Sequence, residues 1–229
     1  MLHIYNYSNH ILHNITLKIA DKNLVLLGSN GVGKSTLARV MCGLIPSNCV
    51  SISGTKLQDI APSKKRELIN YIPTKLDIYD NYISLKEFLS FSTDDSLQID
   101  KLTELLGISH LEQNSCTTLS SGEAQLTLIA SALLHNARYT ILDEPTSNLD
   151  PNHIKTIFEI LSNSNYLQNK IVITHNLDFA YKLGYDVVYL KDGRVDFTGT
   201  SQEFFDQSNL DRYYNKHIQK INSNIVVSL

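Results

Sequence analysis

Short apolar runs alternate with polar segments along most of the chain, and their spacing predicts an α/β fold. Residues 2–7 and 15–19 carry alternating apolar patterns, which are typical of strands in a small β-layer. Residues 24–27 form a continuous apolar run that stops at Gly28, which is typical of a strand buried on both faces of a parallel sheet. Apolar residues then recur at helical spacing over 35–44. The predicted order is therefore strand, glycine-rich turn and helix.

The pattern changes to amphipathic helical stretches between about residues 77 and 137, which indicates a helical insertion in an α/β core. Strand-like runs return after the insertion at 139–142, 170–174 and 186–190. A helical pattern over 151–161 separates the first two of these runs, as expected for a crossover between parallel strands.

The last part of the chain carries a turn signal and a polar end. Asp192-Gly193 follows an apolar run and predicts a tight hairpin, because both residue types adopt the positive φ angles of a type I′ turn. Residues 222–229 are predicted to form a frayed tail.

Composition narrows the class of protein. The 229 residues are 42% hydrophobic and 19% charged, which is typical of one folded domain. The formal net charge of −3 does not favour a nucleic-acid partner. The basic run 64–66 is predicted to be a solvated helix face, with a phosphate-backbone contact as the minor alternative. The 3 cysteines form no CxxC pair and are predicted to be reduced cytosolic thiols. Neither a membrane-spanning run nor a signal peptide is apparent, so work at a membrane would require recruitment by a partner.

The segment that joins the first buried strand to its helix has the pattern of a phosphate-binding loop. It fits G-x-x-x-x-G-K-[ST] in full. Its glycines allow backbone N–H groups to wrap around phosphate oxygens, and the helix adds the positive end of its dipole. Lys34 is expected to reach the β- and γ-phosphates, and the Ser35 hydroxyl to ligate Mg²⁺. The predicted nucleotide-binding residues here are Gly28, Ser29, Asn30, Gly31, Val32, Gly33, Lys34, Ser35 and Thr36.

Two adjacent carboxylates follow the apolar run 139–142. At the carboxyl end of a parallel strand, Asp143 is expected to hold Mg²⁺ through water. Glu144, turned the other way by the alternation of the strand, is expected to orient or deprotonate an attacking water.

Leu119-Ser120-Ser121-Gly122-Glu123 precedes an amphipathic helix. Ser120 and Gly122 offer a hydroxyl group and backbone N–H groups at the helix N-terminus, which predicts a second anion site. Taken alone, the segment is more typical of a simple helix N-cap.

In this order, the phosphate loop, the segment 119–123, Asp143-Glu144, the segment 147–150 and Thr174-His175 resemble the ATP-binding cassette (ABC) ATPases. The resemblance covers nearly the whole chain. It implies a P-loop NTPase fold with a RecA-like parallel-sheet core, an N-terminal antiparallel β-layer and an inserted helical subdomain. The core would comprise about residues 1–74 and 138–229, and the helical subdomain about 75–137.

The family resemblance also implies how the residues work. Two cassettes face head to tail and sandwich ATP, so that Ser120 and Gly122 contact the γ-phosphate of the nucleotide on the other subunit. His175 would contact the γ-phosphate, and Asp150 would lie in the loop that communicates across the dimer. The catalytic residues would be Lys34, Glu144 and His175.

The resemblance leaves the adenine-stacking residue open, and the sequence departs from the family pattern at Thr74 and in the signature. The family has an aromatic residue near the N-terminus that stacks on adenine, and Tyr7 is the first choice with Tyr5 as its rival. Packing within the β-layer is the alternative role for either tyrosine. Thr74 stands where the family has a glutamine that meets Mg²⁺ or the attacking water, so weakened coupling is expected rather than lost hydrolysis. Ser121 and Glu123 replace the usual glycine and glutamine of the signature.

The expected function is that of an ATP-hydrolysing subunit of an ABC transporter, which energises translocation through separate membrane permease subunits. The short length of the stretch 74–119 and the region 119–134 resemble the cassettes of siderophore, haem or cobalamin importers, which favours metal-chelate import. The expected location is the cytoplasm, at the inner face of the cell membrane. A non-transport cassette of the iron–sulfur assembly type and the detached cassette of an exporter are the alternatives.

Overall fold

A computed structural model describes residues 1–215, 217–222 and 224–227. By internal contacts the chain divides into a first unit, residues 1–62 with 169–229, and a second unit, residues 63–168. The strands are β1 (Leu2–Tyr7), β2 (Ile15–Ile19), β3 (Leu24–Gly28), β4 (Val50–Ile52), β5 (Thr55–Lys56), β6 (Ile69–Ile72), β7 (Tyr139–Asp143), β8 (Asn169–Ile173), β9 (Asp186–Lys191), β10 (Arg194–Gly199), β11 (Ile218–Ile221) and β12 (Asn224–Val227). The helices are α1 (Lys34–Met41), α2 (Pro62–Leu68), α3 (Leu85–Ser90), α4 (Ser96–Leu105), α5 (Ser121–His135), α6 (Pro151–Ser162), α7 (Leu177–Leu183), α8 (Ser201–Phe204) and α9 (Gln207–Tyr214).

The first unit contains strands hydrogen-bonded in the order β10-β9-β3-β8. β3 runs parallel to both of its neighbours, with Leu26 paired with Val188 on β9 and with Ile173 on β8. Its apolar residues are buried, which confirms the prediction from the continuous apolar run. β9 and β10 form an antiparallel hairpin, and the positive φ angles of Asp192 (48°) and Gly193 (70°) confirm the predicted turn.

The first unit also contains the predicted antiparallel β-layer, with strands in the order β2-β1-β4-β5. Leu2 lies opposite Ile19 and Ile4 opposite Leu17, and all four side chains are buried on one face. The alternation of apolar and polar residues in the sequence therefore corresponds to an inner and an outer face of this layer.

The second unit contains β6 and β7, which run parallel with Ile72 opposite Leu142. Helix α5 packs on α3, α4 and β6. It is apolar around much of its circumference, with Leu126, Ile129 and Leu133 buried, and such a helix lies in the interior of a protein. The α/β fold class is thus confirmed, whereas the predicted subdomain bounds of about 75–137 stay a prediction.

The end of the chain differs from the predicted frayed tail. β11 and β12 form an antiparallel hairpin, and the backbone N–H of Ile225 donates to the Asp178 carboxylate over 3.0 Å. The tail prediction is therefore wrong for Asn222 and residues 224–227, because these contacts come from distant residues; residues 223, 228 and 229 lie outside the described part of the chain. Within that part, no helix has the length and apolar character needed to cross a membrane.

Candidate functional site

The phosphate loop lies between β3 and α1, and glycine is required at both of its ends. Gly28 (φ 149°) and Gly33 (φ 107°) have positive φ angles. A Cβ atom on Gly28 would lie 2.6 Å from the Leu190 carbonyl oxygen, and one on Gly33 would lie 2.6 Å from Leu12 Cδ2. Any side chain would therefore clash with its neighbours as well as strain the backbone. The loop between them exposes Ser29, Asn30 and Gly31, while Val32 packs inward.

The Lys34 side chain folds back over this loop. Its Nζ donates to the carbonyl oxygens of Gly28 (2.7 Å) and Ser29 (3.1 Å), and the side chain is almost fully buried. These contacts hold a positive charge at the centre of the loop, beside the first N–H groups of α1. Ser35 is exposed at the start of the helix and Thr36 is half-buried. The arrangement fits the polyphosphate of a nucleotide, because the N-terminus of α1 and one ammonium group lie at the same loop.

A second loop, residues 9–13, supports the phosphate loop. Asn9 Oδ1 accepts hydrogen bonds from the N–H groups of Ile11 (2.8 Å) and Leu12 (2.7 Å), which tightens the turn. The side chains of Ile11 and Leu12 fill the space where Gly33 has no Cβ. The sequence pattern did not predict this loop; the signal it left was an asparagine two residues before an apolar pair.

The predicted aromatic residues differ in exposure. Tyr7 is 8% exposed within the β-layer, where its hydroxyl accepts from Asn9 Nδ2 over 3.2 Å. Tyr5 is 66% exposed. His10, which no sequence pattern singled out, is exposed in the loop that covers Gly33. Tyr7 is therefore buried, whereas the rings of Tyr5 and His10 are open to solvent.

His175 follows β8. Because Leu26 on β3 is paired with Ile173 on β8, the carboxyl ends of these parallel strands are neighbours. His175 is exposed there, while Thr174 is buried and accepts a hydrogen bond from the N–H of Asn176 over 3.1 Å. The imidazole thus lies at the same edge of the strands as the start of the phosphate loop.

Asp143 ends β7 in the second unit. The carboxylate is only 2% exposed, and its Oδ2 accepts a hydrogen bond from the Tyr71 hydroxyl over 2.9 Å. Glu144 follows with a positive φ of 53° and a half-buried side chain. A positive φ is strained for glutamate, and such strain persists where the surrounding structure holds it. Within the described residues no group of three or more His, Cys, Asp or Glu side chains is placed to hold a metal ion.

Ser120 and Glu123 form a capping box at the start of α5. Ser120 Oγ accepts from the Glu123 N–H (3.3 Å), and Glu123 Oε2 accepts from the Ser120 N–H (2.7 Å). The backbone N–H of Ser120 and its hydroxyl hold the pKa of Glu123 below its usual value. The helix-cap alternative from the sequence is therefore present.

The residues around Gly122 pack closely. A Cβ on Gly122 would lie 3.2 Å from the Asn148 carbonyl oxygen, so the absence of a side chain lets the 147–150 loop approach the helix. Asp150 ends that loop and caps α6, accepting from the N–H groups of Asn152 (2.9 Å) and His153 (3.1 Å). The hydrogen bonds from His153, backbone first and then side chain, lower the pKa of Asp150.

A cavity of about 350 Å³ lies beside this region in the second unit. Thr74, Ser121 and Asn148 all line it, together with the buried Gln125. Thr74, which replaces the usual glutamine of the family, thus lines the same cavity as the first residue of α5 and the 147–150 loop.

Comparison with known proteins decides the family. The family model described as ABC transporter matches residues 12–147. The chain belongs to the ABC transporter family. The cassette is 31% identical over 224 residues to the phosphonates import ATP-binding protein PhnC of Fusobacterium nucleatum, covering 87% of this chain and 91% of that protein. It is 29% identical over 214 residues to the energy-coupling factor transporter ATP-binding protein EcfA1 of Thermotoga maritima, covering 89% and 81%. An ABC transporter ATP-binding protein of Treponema denticola is 32% identical over 204 residues, which span 83% of this chain and 40% of that protein.

Solved structures agree on the fold. The structure of an ATP-binding subunit of an ABC transporter superposes with a TM-score of 0.80 at 24% identity, covering 94% of this chain and 98% of that one. The predicted ABC-type P-loop NTPase fold and the family resemblance are thereby confirmed. As a member of this family, the cassette is an ATP-binding and ATP-hydrolysing subunit of an ABC transporter, and Mg²⁺ accompanies its nucleotide.

Proposed function

We propose that the cassette works as a head-to-tail dimer and drives an importer whose membrane subunits are separate chains. The observation that carries the nucleotide-binding part of the proposal is the glycine cradle of the phosphate loop, with the Lys34 ammonium held over it. Two relatives support import and permease partners, since one is named as a phosphonates importer and the other as an energy-coupling factor transporter protein. The dimeric structure of the cassette MJ0796 with ADP and phosphate shares this fold (TM-score 0.75, 22% identity, covering 88% of this chain and 99% of that one) and supports the dimer.

In the proposed site, residues 28–36 bind the phosphates of ATP and Lys34 holds the β- and γ-phosphates. The Ser35 hydroxyl would ligate Mg²⁺ and Asp143 would hold it through water, with Thr74 a weaker contact through another water. Bound Mg²⁺ supplies charge stabilisation to the phosphates. Glu144 orients the attacking water and takes its proton, and His175 donates to the γ-phosphate.

The proposed site also includes an aromatic platform for adenine near the N-terminus. Stacking requires an exposed ring face, and base–aromatic stacking contributes about 1–3 kcal/mol. Tyr7 remains the first choice from the family pattern, but its burial favours Tyr5 or His10 as the stacking residue.

Ser120 and Gly122 complete the site of the second copy in this proposal. The Ser120 hydroxyl and the first N–H groups of α5 form an anion site that faces a γ-phosphate held by the other subunit. Asp150 communicates between the two sites through the 147–150 loop, which packs on Gly122 within the same chain.

We place the cassette in the cytoplasm, at the inner face of the cell membrane, where the helical segment of the second unit docks on a permease. Tyr79 and Tyr82 support this surface because both rings are 92% exposed and aromatic residues are enriched at protein interfaces. Metal chelates remain our proposed cargo class. An iron–sulfur assembly scaffold and an exporter cassette are the alternatives.

The decisive experiment is the Glu144→Gln variant. Removal of the base should stop hydrolysis and leave the ATP-bound dimer stable, so light scattering after gel filtration should show a dimer with ATP and Mg²⁺ and a monomer with ADP. Glu159→Gln, on the exposed side of α6, is the matched control and should behave as wild type. A Glu144→Gln protein that stays monomeric in ATP would contradict the sandwich mechanism.

The transport role is tested by purification from native membranes. The tagged chain should bring down a multi-span membrane protein, and the double variant Tyr79→Ser, Tyr82→Ser should lose it. Ile221→Ser removes an exposed apolar residue of the first unit and serves as the control. Isolation with soluble partners only would instead favour the assembly-type cassette.

A further inference from the structure

The Tyr71 hydroxyl donates a hydrogen bond to Asp143 Oδ2 over 2.9 Å, and both residues belong to the second unit. We propose that Tyr71 is a positioning residue, which sets the orientation of the Asp143 carboxylate for the Mg²⁺ that accompanies ATP. The proposal rests on the role of Asp143 proposed above, and it adds a residue that neither the motifs nor the family pattern identified.

The strand register explains why this pair meets. β6 and β7 run parallel with Tyr71 opposite Ile141, so Asp143 lies two residues further along β7 on the same face. Diagonal neighbours of this kind are separated by about 7–8 Å, a distance that a long aromatic side chain spans. Because both ends of the contact belong to paired strands, the hydroxyl is held at a set position relative to the carboxylate.

Burial makes the contact important to the carboxylate. Asp143 is 2% exposed, so bulk water cannot orient it. A hydrogen bond to Oδ2 limits rotation of the carboxylate about its terminal bond, and it thereby sets the direction in which Oδ1 points. Partners that orient metal ligands in this way commonly contribute about 10- to 100-fold to metal affinity or activity, by the general behaviour of outer-shell residues.

A purely structural role is the competing explanation, since any buried carboxylate requires a donor. The two explanations predict different responses of the protein to Mg²⁺. A structural contact contributes to stability whether or not Mg²⁺ is present, whereas a positioning contact changes the concentration of Mg²⁺ that the nucleotide complex needs.

The test is Tyr71→Phe, which keeps the ring and removes the hydroxyl. Binding of a fluorescent, non-hydrolysed ATP analogue is measured while Mg²⁺ is titrated, and again in EDTA. The Mg²⁺ concentration that gives half of the maximal increase in analogue binding should rise about tenfold. The affinity for the analogue in EDTA should stay at the wild-type value. Tyr166→Phe, at a half-buried tyrosine in the loop after α6, is the control and should change neither value.

Asp143→Asn separates this inference from the proposed function. It should weaken the Mg²⁺ response by itself, and adding Tyr71→Phe to it should have no further effect. If Asp143→Asn leaves the Mg²⁺ response unchanged, the proposed role of Asp143 fails and the inference fails with it. If only Tyr71→Phe leaves it unchanged, or lowers the unfolding temperature alone, the inference is overturned while the proposed function stands.

Discussion

The phosphate loop of the first unit and the signature region of the second, defined as residues 119–123 with 147–150, are held in different ways. The phosphate loop depends on backbone approaches that leave no space for a Cβ, and its neighbours Leu12 and Leu190 are fully buried. The signature region depends on polar caps made by Ser120 and Asp150, both of which are exposed.

Because of this difference, nucleotide binding and the coupling of hydrolysis to transport should respond differently to substitution. Steric constraints in a close-packed interior tolerate almost no change. Exposed helix caps contribute only about 1 kcal/mol each, so they tolerate variation. The departures from the family pattern, Thr74, Ser121 and Glu123, all lie in the second unit. We therefore expect nucleotide binding to be sensitive to substitution and coupling to be adjustable.

The largest effect is expected for Gly33→Val. The side chain would enter the space occupied by Leu12 and strain a positive φ, which together cost about 3 kcal/mol or more. ATP affinity, measured by calorimetry, should fall about a hundredfold or more. Gly54→Val is the control, because Gly54 also has a positive φ (86°) but no atom lies within 4 Å of the position that its Cβ would take. It should lose some stability and bind ATP normally; equal losses in both variants would contradict the steric argument.

Gly122→Ala should have a moderate effect on the dimer. The new Cβ would press on the Asn148 carbonyl oxygen and displace the 147–150 loop by a few tenths of an ångström. We expect ATPase activity at saturating ATP to fall about fivefold, which corresponds to about 1 kcal/mol, with ATP binding to the monomer unchanged. Ser121→Ala, at the exposed neighbouring position, is the control. A loss of ATP affinity in the monomer would contradict the proposal that Gly122 completes the site of the second copy.

Thr74→Gln should raise ATPase activity. A longer amide would replace a water-mediated contact by a direct one, a gain of under about 1 kcal/mol or up to about fivefold in rate. Steady-state phosphate release measures the change, with the exposed Thr118→Gln as the control. An unchanged or lower rate would count against weakened coupling at Thr74.

The smallest effect is expected for Glu123→Ala, which removes half of the capping box. The free energy of unfolding should fall by about 0.5 kcal/mol at neutral pH. Because folding lowers the pKa of Glu123, its contribution is present above the unfolded pKa and is lost as pH falls through the folded value. The difference from wild type in urea unfolding should therefore shrink below about pH 4. Glu104→Ala, on the exposed face of α4, is the control variant in the same urea unfolding experiments.

The sequence by itself determined the elements whose signals are local. The apolar run before Gly28, the glycines that follow and the helical spacing after Lys34 predicted β3, the phosphate loop and α1, because neighbouring residues alone set these periodicities. Each family motif is likewise a short run of neighbouring residues, so the sequence alone indicated the family through the motifs and their order.

Only the tertiary structure decided which distant residues meet. The 9–13 loop over Gly33, the Tyr71–Asp143 hydrogen bond and the β11–β12 hairpin anchored on Asp178 join residues that no local pattern relates. Periodicity states which face of an element is buried but not the register between strands, and a shift of one residue would turn Tyr71 to the opposite face from Asp143.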